Sequence, residues 1–128
     1  MRILETVKIE NFKSIRRQQL ALGRLNVFIG GNGAGKSNLV QAFRFLREIV
    51  QQNLAGYSLQ RGADNLLYFG RKTSKYMVFD LDFGEGTYGN GYYLRLTPTD
   101  DGALMVNNEV VWFHERSRWK DPLACFAG

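Results

Sequence analysis

Eight consecutive residues of this chain have the types and spacing to hold a phosphate chain: Gly30-Gly31-Asn32-Gly33-Ala34-Gly35-Lys36-Ser37. They match G-x-x-x-x-G-K-[ST] at every fixed position. Each type has its own physical reason. Glycines at 30, 31, 33 and 35 allow positive φ and let successive N–H groups close around phosphate oxygens where a side chain would collide. A helix opening at the end of the loop adds unsatisfied N–H donors and the positive end of its dipole. Lys36 would reach the β- and γ-phosphates as a point charge, and the Ser37 hydroxyl would ligate Mg²⁺. The expected nucleotide site is therefore Gly30, Asn32, Gly33, Ala34, Gly35, Lys36, Ser37 and Asn38. Lys36 is its catalytic member, Ser37 its metal ligand, and Mg-ATP its cofactor.

Such a loop works only between a strand and a helix, and both are legible. Leu25-Asn26-Val27-Phe28-Ile29 is a short, mostly apolar run of the kind that forms a buried strand. From Ser37 the apolar period becomes helical, with Leu39, Ala42, Phe43, Leu46, Ile49 and Val50 on one stripe. That stripe predicts a helix over 36–53, with Asn53 and Gly56 as the stop. Before the loop, Val7 and Ile9 alternate with Thr6, Lys8 and Glu10 as in a half-buried strand, Asn11 to Ser14 reads as a turn, and 15–22 returns antiparallel. After the helix, 57–66 reads as a loop with a short helical turn. Two further alternating runs, 76–83 and 92–96, are separated by glycine-rich turns and predict an antiparallel meander that ends near Phe113. Residues 114–128 show no period.

The 128 residues, 45% hydrophobic and 23% charged, fit one globular domain and exclude a disordered or fibrous chain. No stretch is apolar enough to span a membrane and Glu5 interrupts any leader, so the sequence reads as soluble and cytoplasmic. Cys125 is the single cysteine, reads as a small core residue, and has no disulfide partner in the chain. Charge is unevenly divided. Residues 1–64 carry ten Lys and Arg against four Asp and Glu, and residues 65–128 seven against eight. The positive half is the half with the loop, which suits a polyanionic nucleotide, nucleic acid, or simply a solvated surface.

Three look-alikes carry less. Asp80, at the end of Tyr76-Met77-Val78-Phe79, imitates the magnesium-linked acid of a Walker B strand, but Leu81 follows where a catalytic Glu is expected and the alternation continues through Asp82. Asp82-Phe83-Gly84 spells a kinase magnesium motif without the loops that accompany it, and reads as a strand end. His114 has no cluster at metal-ligand spacing. A guanine-reading Asn-Lys-x-Asp is absent, which argues against a GTPase.

Val7-Lys8-Ile9-Glu10-Asn11-Phe12-Lys13-Ser14, the 25–29 strand and Gly30 to Leu39 together resemble the N-terminus of ABC-type ATPase heads of the RecF/SMC/OLD-like group and their bacterial predicted ATPase relatives. Gly62-Ala63-Asp64 and Tyr68-Phe69-Gly70 are similar but less diagnostic. The resemblance implies an α/β fold with α+β character: a strand–loop–helix nucleotide core over 1–53 beside an antiparallel β lobe over 54–128. It also implies that Lys13 and Ser14 lie by the base, ribose or phosphates. Heads of this group hydrolyse ATP when two of them sandwich the nucleotide, using a partner's signature loop and a Walker B Asp-Glu. Neither is found in these residues, and Gln51, Gln52 and Gln60 all precede the place of the group's γ-phosphate-sensing glutamine. The expectation is the first lobe of such a head, a homodimer through ATP when complete, working on DNA or in cell defence. The alternatives are a nucleotide-dependent switch that does not hydrolyse, and a basic β-rich nucleic-acid-binding protein.

Overall fold

The computed structural model describes residues 3–21, 36–85, 88–115 and 123–127. The alternation around Val7 and Ile9 forms β1 (Ile3–Phe12), which turns through two residues into β2 (Ile15–Ala21), with partners running from Phe12↔Ile15 to Thr6↔Ala21. After the helical segment come β3 (Met77–Glu85), β4 (Tyr88–Pro98), β5 (Leu104–Glu115) and β6 (Leu123–Ala127). They make one sheet in the order β2-β1-β3-β4-β5-β6, every neighbouring pair antiparallel. The hairpin that precedes the phosphate loop is thus joined edge to edge with the meander that follows the helix. The fold is mixed α/β with an antiparallel sheet. Residues 25–29 and 30–35, the strand and most of the loop, lie outside the described residues. The last strand, β6, was not signalled by any period.

Helix α1 (Lys36–Val50) packs on one face of this sheet. Leu39, Ala42 and Phe45 are buried in the same core as Val7, Ile9, Met77, Phe79, Leu94 and Leu96. The Phe45 ring lies 5.7 Å from Phe12, 6.0 Å from Phe79 and 5.6 Å from Tyr57. Strict alternation from Val7 and Ile9 would send Phe12 to the other face. A left-handed backbone at Asn11, φ 59°, turns it into the core instead. The buried stripe is rotated from the expected one, because Phe45 is fully buried while Val50 is 80% exposed.

The helix also ends earlier than expected, at Val50. Gln52 takes φ 60°, its N–H donates to Ile49 O at 3.0 Å, and the Asn53 N–H donates to Glu48 O at 2.9 Å. This is a Schellman closure built on Gln52 and not on a glycine. Asn53 then precedes a second helix instead of a loop. Helices α2 (Leu54–Arg61) and α3 (Ala63–Leu66) stand where a loop with a short turn was expected over 57–66, and α4 (Gly70–Thr73) follows them. They are fixed by tertiary bonds: the buried Ser58 Oγ accepts the Leu104 N–H at 2.8 Å, and the Ala63 N–H donates to Gly102 O at 2.8 Å. No helix among the described residues is long and apolar enough to cross a membrane.

Candidate functional site

The site begins at the N-terminus of α1, where the first turn presents backbone donors and carries no acidic residue. Lys36 opens the helix, and Ser37, beside it, is exposed. Gly30, Asn32, Gly33, Ala34 and Gly35 lie outside the described residues. The next residue makes the decisive contact. Asn38 Nδ2 donates to Ser14 Oγ, tying the first turn of α1 to the two-residue turn between β1 and β2. Two segments 24 residues apart in sequence therefore share one corner of the molecule.

That hairpin turn is held from its other side. The Lys13 N–H donates to Leu66 O at 2.7 Å, the Tyr68 N–H to Asn11 O at 3.1 Å, and Asn11 Nδ2 to Tyr76 O at 2.9 Å. Lys13 and Asn11 both adopt positive φ, 49° and 59°, a conformation that Asn tolerates and Lys takes at some cost. With its backbone clamped, the Lys13 ammonium stands 6.0 Å from the Phe12 ring centroid. Burial, and then the nearby Arg61 guanidinium, push its pKa below the ordinary lysine value. The Arg61 charge thus acts on Lys13, and a bound anion would relieve that repulsion.

Sequence reasoning missed Arg61. It ends α2, its guanidinium lies 5.1 Å from the Tyr57 ring centroid, and with Gln41, Arg44, Arg47 and Glu48 it lines a cleft of about 370 Å³ between α1 and α2. Nothing local marks it, since its closeness to Lys13 depends on α2 being a helix. The paired arginines of α1 were visible only as part of a positive half-chain.

Asp80 belongs elsewhere. On β3 it alternates with Phe79, whose ring packs on Phe45 of α1, so its carboxylate faces away from the helix that follows the loop. It sits across from Lys8, near Asp82 and Glu10. Burial first, then Asp82 and Glu10, raise its pKa above the usual carboxylate value, with Lys8 opposing. The Walker B likeness is therefore only one of sequence. Asp82-Phe83-Gly84 is, as expected, a strand end, paired with Gly91, Asn90 and Gly89 of β4. No group of three or more His, Cys, Asp or Glu among the described residues could hold a metal ion.

Residues 1–90 match the AAA ATPase domain family. The chain belongs to that family. An ATPase domain is a nucleotide-binding domain, so nucleotide is the cofactor class of this AAA ATPase domain. It is also similar to the structural maintenance of chromosomes protein 1 of Schizosaccharomyces pombe, 32% identical over 124 residues that cover 85% of this chain and 10% of that protein. DNA replication and repair protein RecF of Renibacterium salmoninarum is 36% identical over 70 residues, 52% of this chain and 18% of RecF. RecF of Acidothermus cellulolyticus is 32% identical over 82 residues, 62% of this chain and 22% of RecF. The likeness to the RecF and SMC group stands on these matches, and the chain spans only a tenth to about a fifth of the length of these relatives.

Proposed function

We propose that this domain binds Mg-ATP at the N-terminus of α1, as the first lobe of a RecF/SMC-like ATPase head. In this reading loop 30–37 wraps the phosphates, Lys36 and the first-turn amides neutralise them, and Ser37 ligates Mg²⁺. Lys13 and Ser14 lie alongside, and Arg61 adds a further cation facing the nucleotide. When bound, the magnesium ion would draw off charge from the β- and γ-phosphates. The observation that carries the proposal is the Asn38–Ser14 hydrogen bond, because it fixes the hairpin turn against the end of the helix where an anion is favoured.

Turnover is assigned to a larger assembly, a pair of heads sandwiching the nucleotide. The acid that would position water is not supplied by Asp80, which faces away from α1. The same orientation favours a second reading, in which the chain binds ATP as a switch without hydrolysing it. The names of the relatives, chromosome maintenance and DNA replication and repair, support a role on DNA, and a cytoplasmic location is part of the same proposal.

Calorimetry with Mg-ATP and Mg-GTP, with phosphate release followed in the same samples, tests this. ATP should bind, Lys36→Ala should abolish measurable binding, and release should stay at background. Robust turnover by the chain alone would sink the two-head reading. Binding that survives Lys36→Ala would remove the nucleotide site from this loop.

A further inference from the structure

On the side of the β1–β2 hairpin away from α1, the chain running from α4 into β3 encloses an open cleft of about 580 Å³. Glu10, Arg16, Arg17, Tyr68, Lys75 and Tyr76 are among its walls. Glu10 is nearly buried and already committed, to Arg17 at 3.1 Å and Lys8 at 3.7 Å, so it does not set the sign of the cleft. Arg16 is exposed, and Lys75 spends one donor on Arg71 O at 3.0 Å. The cleft therefore offers cations to an incoming anion.

Tyr68, in the wall of the cleft, has a second ring beside it, that of Phe69, outside the lining. Phe69 is 74% exposed, and its ring meets Tyr68 edge-on at a centroid distance of 4.5 Å. An exposed phenylalanine is ordinarily a loose surface residue, but this one is set in place. Its backbone is left-handed, φ 54°, an uncommon state for a bulky side chain. The turn that imposes it is locked by the Gly70 N–H on Leu67 O at 3.1 Å and by Asp64, which accepts bonds from Arg71 N at 2.8 Å, Nε at 3.0 Å and Nη2 at 3.2 Å. Tyr76 adds a further exposed ring to the lining.

We propose that this cleft binds single-stranded nucleic acid, with a base stacked on the Tyr68–Phe69 pair and the adjoining phosphates on Arg16 and Lys75. Aromatic faces beside cations are what a single strand requires, because its bases are free to stack while its backbone follows the charge. A duplex hides those faces, and a peptide phosphate would use the cations without the rings. The cleft shares no residue with loop 30–37, Lys13 or Arg61, so the inference stands or falls apart from the nucleotide site.

Fluorescence anisotropy with a short labelled oligo(dT), across a salt series, tests it. Phe69→Ala should weaken binding at least about fivefold, while Phe69→Trp should retain it. Arg16→Glu should weaken binding and flatten the salt dependence. Lys36→Ala and saturating Mg-ATP should leave it unchanged. Phe69 and Arg16 are both exposed, and thermal melts of their variants check that each still folds. The proposal is overturned by no binding to the parent chain, by affinity indifferent to Phe69→Ala, by tighter binding of the matched duplex, or by loss in Lys36→Ala.

Discussion

The two faces of the sheet are built on different physics. Toward α1, Val7, Ile9, Met77, Phe79, Leu94 and Leu96 are closed off from water and meet Phe12 and Phe45 in one aromatic cluster. On the opposite face β1 and β3 carry Lys8, Glu10, Asp80 and Asp82, and β2 adds Arg17. Burying a large apolar side chain stabilises by about 1.5–3 kcal/mol. An ion pair whose cation stays in water contributes at most about 1 kcal/mol. The Lys8 and Arg17 side chains keep 40% and 71% of their exposure, so the charged face holds little of the stability. One face fixes where α1 and its N-terminus sit, and the other can accept change.

The sharpest test of that contrast is Phe79→Ala. This ring touches both Phe12 and Phe45, 5.9 Å and 6.0 Å away, and its loss should cost about 3–5 kcal/mol in urea or thermal unfolding. Because α1 loses its seat, ATP affinity should fall in proportion to the unfolded fraction. A loss under about 1 kcal/mol would mean that the cluster does not bear the fold.

A smaller effect comes from a large ring on the charged face. Trp112 stands across from Gly91, and a methyl group at Gly91 would overlap its indole. Gly91→Val should therefore displace the ring at a cost of about 1–3 kcal/mol, seen as a shift in tryptophan emission with a lowered midpoint. Unchanged emission would show that the close approach is not maintained in solution.

How much of this could be read beforehand follows the range of the forces involved. The β1–β2 hairpin, the opening of α1 at Lys36 and the β3–β4–β5 meander come from local alternation and turn residues, and they stand where expected. The end of α1 was misplaced because glutamine is a rare choice for a left-handed closure, and Gly56 and Asn53 seemed better stops. Helix α2 was hidden for a related reason: the Ser58–Leu104 bond that anchors it joins distant segments. Phe45 lies outside the apolar stripe legible in the sequence although it is fully buried in the core, because Phe43 and Val50 define a plausible stripe without it. At the site, the loop motif and the family resemblance point to Lys13, Ser14 and Asn38, yet only the folded chain joins Ser14 to Asn38 and sets the Arg61 charge on Lys13.

The smallest expected effect separates the faces by pH. Asp80 is surrounded on its face by Glu10 and Asp82, which repel its charge, and by Lys8, which attracts it, while burial adds the largest penalty to ionisation. Its folded pKa lies above the ordinary value of 3.8. Between that value and its own, the folded chain binds more proton than the unfolded one. Its contribution to stability is therefore full below 3.8 and lost as pH rises through the folded value. Asp80→Asn removes the loss, so it should be more stable than the parent chain at neutral pH, by under about 1 kcal/mol because the site is partly solvated, with the difference closing in acid. Asp64 should respond in the opposite sense, since its hydrogen bonds from Arg71 hold its pKa below the ordinary value and favour the folded chain once the carboxylate is ionised. If Asp80→Asn were destabilising at neutral pH and neutral in acid, the Lys8–Asp80 attraction would outweigh burial, and the outer face would share in holding the sheet together.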